Sequence, residues 1–105
     1  MATAYIREYA DIAVTFGKYV QAGAEPAVAD QTVTTSGTAA SSAAFSANTR
    51  VIAISTPAAQ AVCVAFSATP GAAVTATTSN LRLPANNIVF FGVRPGDKVS
   101  LIDVT

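Results

Sequence analysis

Few side chains in this 105-residue sequence could do chemistry. It has six carboxylates, one thiol, three phenols and no histidine. Without imidazole it lacks the usual general base at neutral pH, the Ser-His pair and the commonest transition-metal ligand. Cys63 is the only cysteine, which rules out an intrachain disulfide and a cysteine-rich zinc site. Strand alternation puts its thiol on a face shared with Ala61 and Ala65. No cation lies close in sequence to activate it, so it reads as a small buried hydrophobe. Asp97 and Asp103 share strand parity but stand roughly 20 Å apart along an extended strand, too far for a glycosidase pair. Glu8 and Asp11 are near enough to share a site, although surface solvation is the plainer reading. Gly37, Gly71 and Gly96 form no phosphate-binding motif, and no calcium loop of the EF-hand type is present. The expectation is a protein that is not an enzyme, with no catalytic residue, cofactor or metal.

The charge pattern narrows the partners. Six Lys and Arg balance six Asp and Glu, and charged residues make up 11% of the chain, against about 25% in ordinary domains. The cations are dispersed at Arg7, Lys18, Arg50, Arg82, Arg94 and Lys98. Each alone reads as solvated or ion-paired. With no basic excess to neutralise phosphates or anionic lipid, neither nucleic acid nor a membrane surface is an expected partner. No run of 18 apolar residues predicts a membrane-crossing helix. The opening Met1-Ala2-Thr3-Ala4-Tyr5-Ile6-Arg7-Glu8 lacks a basic and then apolar leader, so synthesis in a cytoplasm is expected. Ala, Ser and Thr exceed two fifths of the residues, and such small side chains bury little area each, at ~25 cal/mol per Å². A neutral, charge-poor chain of this kind is expected to live against other protein.

Abundant Val, Ile and Thr favour strands. The alternation predicts strands over 3–9, 31–36, 50–56, 61–67, 87–93 and 98–104, a weak hairpin from 12–16 and 19–22 around Gly17-Lys18, and a short strand over 80–83. Residues 61–67 read as the hairpin partner of 50–56, and 74–78 as a Thr-rich edge strand. Residues 23–30 read as an extended connector. Residues 37–48 read as a loop or single helical turn anchored by Phe45. Pro95-Gly96 fits the centre of a type II turn, and Asn86 and Asn87 supply turn chemistry. Prolines at 57, 70, 84 and 95 leave no window for a long helix. Turn signals every 8–12 residues predict an all-β fold, one antiparallel β-sandwich of jelly-roll-like type spanning 1–105, with an extended arm within 1–30.

Tyr5, Arg7 and Tyr9 share one face of the first strand, and Tyr with Arg is a combination enriched at interfaces. Phe90 and Phe91 must point in opposite directions, one into the core. These five residues are the candidate protein-interface residues. The competing reading of Tyr5 and Tyr9 is packing within the domain's own core.

Several segments together resemble a known class. They are Ala4-Tyr5-Ile6-Arg7-Glu8-Tyr9, Gln31-Thr32-Val33, Ser41-Ser42-Ala43-Ala44-Phe45, Arg50-Val51-Ile52-Ala53-Ile54, Cys63-Val64-Ala65-Phe66, Leu83-Pro84 and Phe91-Gly92-Val93-Arg94-Pro95-Gly96-Asp97-Lys98-Val99-Ser100-Leu101-Ile102. The chain resembles small structural proteins of tailed double-stranded DNA phages, in particular the capsid cement (decoration) proteins. The resemblance spans most of the chain, least so residues 10–30, and rests on strand-and-turn patterns rather than catalytic signatures. It implies a virion protein on the outer capsid surface that staples neighbouring major-capsid subunits, in many copies and without enzymatic activity. The implied partners are the major capsid protein and itself, a homodimer being favoured because two-fold contacts are commonest, with a trimer as the alternative. The alternative function is a phage tail or fibre-associated module. A carbohydrate-binding β-sandwich ranks lower, since tryptophan is absent and the three tyrosines fall within the first 19 residues.

Overall fold

The computed structural model describes residues 2–15, 18–23 and 25–104, with backbone alone for 13–15 and 18–22. Ten strands form: β1 (Ala2–Tyr9), β2 (Ile12–Thr15), β3 (Lys18–Gly23), β4 (Ala29–Thr35), β5 (Ala40–Ser41), β6 (Val51–Ser55), β7 (Val62–Phe66), β8 (Leu81–Leu83), β9 (Ile88–Gly92) and β10 (Val99–Asp103). Two four-stranded antiparallel sheets, ordered β4-β1-β6-β9 and β5-β10-β7-β8, pack face to face as a β-sandwich. The described residues contain no helix. β2 and β3 pair separately as a hairpin whose expected turn residue Gly17, with Phe16, lies outside the described residues.

Alternation assigns the faces. In β1, Ala4, Ile6 and Glu8 point inward while Thr3, Tyr5 and Arg7 point outward. Ala4, Ile6, Val33, Ile52 and Ile54 from the first sheet meet Val62, Val64, Leu83, Val99 and Leu101 from the second, with Phe45 closing the core from the loop after β5. Threonines occupy the wet side of β4 at Thr32 and Thr34. The turn after β9 follows its chemistry, with Gly96 at φ 81° and Asp97 N–H donating to the Arg94 carbonyl at 3.3 Å. Asn86 takes φ 54°, which Asn tolerates better than most residues.

Two expectations are corrected, and of the two readings of residues 37–48 the loop holds. Residues 61–67 are not the hairpin partner of 50–56, because β6 lies between β1 and β9 while β7 lies in the opposite sheet. The chain leaves β6 tied to the loop before β9. Thr56 N–H donates to the Asn87 carbonyl, Thr56 Oγ1 donates to the Pro84 carbonyl, and Asn86 N–H donates to the Pro57 carbonyl, each at 2.8 Å. The intervening residues therefore cross between the sheets instead of turning back. Residues 74–78 form no strand. Their backbone is satisfied by side chains instead, with Ala76 N–H donating to Ser100 Oγ at 2.9 Å and the Val74 carbonyl accepting from Ser41 Oγ at 3.0 Å. The segment 37–48 makes no helical turn and contributes only the two-residue β5, although Phe45 is buried beneath it as expected. Of residues 1–30, Ala2–Tyr9 is an inner strand and Ala29 begins β4, so the stretch left for an arm narrows to 10–28, where β2 and β3 fold against each other.

Candidate functional site

The outer face of the β4-β1-β6-β9 sheet carries a trough, and strand register explains its shape. One cross-strand row runs Asp30, Arg7, Ala53, Phe90, and the next runs Thr32, Tyr5, Ser55, Ile88. The small side chains of Ala53 and Ser55 on β6 form a floor between long side chains on β1 and β9. The resulting depression has a volume of about 660 Å³. The Tyr9 and Phe90 rings, with centroids 6.3 Å apart, stand at one end. Tyr5 and Ile88 are 59% and 60% exposed, an apolar pair open to solvent.

The charged rim is already paired. Arg7 Nε donates to Asp30 Oδ1 at 2.7 Å and a terminal nitrogen donates to Oδ2 at 3.1 Å, a two-point fork that holds the guanidinium across the sheet. Glu25 approaches the same guanidinium at 3.6 Å and accepts from Tyr9 OH at 3.0 Å. The bond to Asp30 raises the Arg7 pKa further above its ordinary value. Burial, followed by the bond to Glu25, raises that of Tyr9. These exposed ion pairs add little stability and act mainly to fix orientation. Tyr9 is 6% exposed because the chain at Gly23 lies across its ring, where any added Cβ would overlap it.

The structure brings together Tyr5, Arg7, Tyr9 and Phe90 of the five candidate interface residues. Phe91 is not among them. It points inward and packs against the core, its ring tilted against that of Phe66 with centroids 5.0 Å apart. Asp30, Thr32, Ala53, Ser55 and Ile88 complete the trough. Sequence reasoning missed them because their membership depends on which strands pair and in which register, which periodicity within one strand does not encode.

Two carboxylates elsewhere serve the fold. Glu8, for which surface solvation is the plainer reading of the sequence, is 3% exposed. Its Oε1 accepts from Thr49 Oγ1 at 2.7 Å and from Ser46 N–H at 2.8 Å, and its Oε2 accepts from Gln31 Nε2 at 3.2 Å. Asp97 accepts from Gly71 N–H at 2.9 Å and Arg94 Nε at 2.7 Å, while Arg94 also donates to the Ser67 carbonyl at 2.9 Å. This joins the turn at 67–72 to the turn between β9 and β10. The Gly71 bond, and then Arg94, hold the Asp97 carboxyl below its usual pKa. A depressed folded-state pKa gives stability that is present above the unfolded value and is lost as pH falls through the folded one. Wild-type protein is therefore expected to lose urea resistance as pH drops below about 4, and Asp97→Asn to show a shallower acid loss. Equal slopes for the two proteins would contradict this role.

Among the described residues no group of three or more Cys, Asp or Glu is placed to hold a metal ion. Cys63 is buried on the outer side of β7, opposite Val62 and Val64, with its thiol 3.6 Å from the Thr78 carbonyl. The trough offers contact area, one oriented cation and two phenols. The fold and this surface define a β-sandwich whose outer face carries an apolar trough with a charged rim. Comparison with known family models, characterised proteins and solved structures finds no match to the chain.

Proposed function

We propose that this chain is a structural virion protein that binds the outside of a tailed-phage capsid and staples neighbouring major-capsid subunits. The observation that carries the proposal is the outer-face trough, where exposed Tyr5 and Ile88, the Phe90 ring and a fixed Arg7 line a rigid sheet. Tyr and Arg on an ordered scaffold dominate binding energy at protein interfaces, and rigidity lowers the entropy lost on docking. The resemblance of the strand-and-turn segments to capsid cement proteins supports the same reading, as does a surface free of net charge. Many copies, each touching several neighbours, turn weak individual contacts into firm attachment through high effective concentration.

Purified chain mixed with empty heads of the phage that encodes it tests the proposal by co-sedimentation. The wild-type chain is expected to approach the stoichiometry of the major capsid protein. Tyr5→Ala is expected to weaken attachment by roughly tenfold or more while leaving the melting temperature unchanged, because the ring is mostly exposed. A few copies per particle would favour the tail or fibre-associated module. Failure of the wild-type chain to bind any part of the particle would overturn both readings.

A further inference from the structure

The sandwich has four edge strands, and β9 is unlike the other three. β5 has two residues and β8 has three, one of them the exposed Arg82. β4 carries Asp30 on its outer face, and its Gln31 side chain both donates to and accepts from the Ala43 backbone. Such short lengths, charges and side-chain covers keep an edge from pairing with another chain. β9, Ile88-Val89-Phe90-Phe91-Gly92, is longer than β5 and β8, has no charge, and has a side-chain cover only at its first N–H. It is five residues long, without proline, and its register with β6 is unbroken. No strand lies beyond it among the described residues.

The direction of its free peptide groups follows from pairing. Thr56 N–H donates to the Asn87 carbonyl and Val93 N–H to the Arg50 carbonyl, so alternate residues 87, 89, 91 and 93 face β6. The peptide groups of Ile88, Phe90 and Gly92 therefore point away from the sheet. The Ile88 N–H is held by Asn87 Oδ1 at 2.9 Å. The remaining groups form a short, self-complementary ladder.

We propose that β9 pairs antiparallel with β9 of a second copy, on a two-fold axis at Phe90, joining two four-stranded sheets into one of eight. This concerns the chain's association with itself and does not depend on capsid attachment. In this register the two Phe90 residues exchange N–H···O=C bonds. Each Gly92 N–H reaches the Ile88 carbonyl of the other copy, leaving the Asn87 contact intact. Side chains of directly opposed residues lie on the same face, so the two Phe90 rings meet and each Ile88 lies over the other copy's Gly92. Gly92 supplies an independent reason. Its φ is not in the left-handed region, and an added Cβ would meet nothing within 4 Å. Neither backbone conformation nor crowding within the chain calls for glycine there. The open space beside it fits the 60%-exposed Ile88 side chain of a second copy. The pairing also sets the two troughs side by side on one continuous face.

Sedimentation velocity on the full-length chain tests this. The wild-type protein is expected at twice its 10.6 kDa mass. Phe90→Lys, which opposes like charges across the axis, is expected to be monomeric. So is Gly92→Val, which fills the space for Ile88 while costing the protomer nothing. Far-ultraviolet circular dichroism and the melting curve of Gly92→Val at low concentration establish that the protomer is folded. Opposed residues in a hydrogen-bonded antiparallel pair have Cα atoms about 5.5 Å apart, within disulfide range. Phe90→Cys is therefore expected to cross-link between copies on mild oxidation, while buried Cys63 stays reduced. A wild-type monomer overturns the proposal even if that monomer binds capsids. So does a dimer that survives both Phe90→Lys and Gly92→Val, or a Phe90→Cys dimer that does not cross-link.

Discussion

Glu8→Ala is expected to lower folding stability by roughly 3 kcal/mol. The carboxylate, near the end of β1, holds the loop that follows β5 through Ser46 N–H and Thr49 Oγ1, and it also accepts from Gln31 Nε2 of β4. Thr49 is fully buried, so truncation leaves its hydroxyl and the Ser46 amide without partners in a place water reaches poorly. Each orphaned donor costs about 1–3 kcal/mol, a large share of the roughly 5–15 kcal/mol by which such domains are stable. Glu8→Gln is expected to lose less, because its amide oxygen keeps one acceptor for the Thr49 and Ser46 donors. Urea denaturation followed by tyrosine fluorescence measures both variants. A loss below about 1 kcal/mol for Glu8→Ala would show that these hydrogen bonds are replaceable.

Leu101→Ala is expected to cost about 2–5 kcal/mol and to lower the melting temperature by roughly 10–20 °C. Leu101 is fully buried on β10, between Ala40 of β5 and Val64 of β7. With so small a residue on one side, and with β10 held from both edges, the surroundings have little means of closing the cavity. Leu81→Ala is the control. That side chain is 57% exposed at an edge, and its loss is expected to change stability by no more than about 0.5 kcal/mol. Similar melting shifts for the two variants would place the core elsewhere.

The sequence disclosed much of this fold because alternation is a local property. Ala4, Ile6 and Glu8 against Tyr5, Arg7 and Tyr9 already separate two faces, and the neighbours Phe90 and Phe91 must divide between them. The same alternation places Glu8 inward, a signal outweighed by the usual solvation of acidic residues. Its donors lie 23 to 41 positions away, and no local pattern reports them. Pairing was hidden for a related reason. The alternating run Val62–Phe66 looks the same whether its neighbour is the preceding strand or β10. What sends the chain across the sandwich is the set of bonds from Thr56 and Pro57 to the loop at 84–87, again a distant contact. The trough followed suit: its β1 wall was legible, while its floor at Ala53 and Ser55 and its far wall at Ile88 appear only once register is known.

The two sheets take their inner strands from opposite ends of the sequence, β1 at residues 2–9 and β10 at 99–103. Apart from the β2–β3 hairpin, β7 and β8 are the only consecutive strands that pair among the described residues. During synthesis on the ribosome, β7 and β8 can pair as they emerge, but β5 has no β10 to join it to them. The second sheet can close only after residue 103 has left the exit tunnel, by loop closures spanning most of the chain, which slows folding relative to a sheet built from successive hairpins. Newly made chains thus pass through an interval with β9 already made and the second sheet unfinished, when exposed apolar surface and open strand edges favour misassociation.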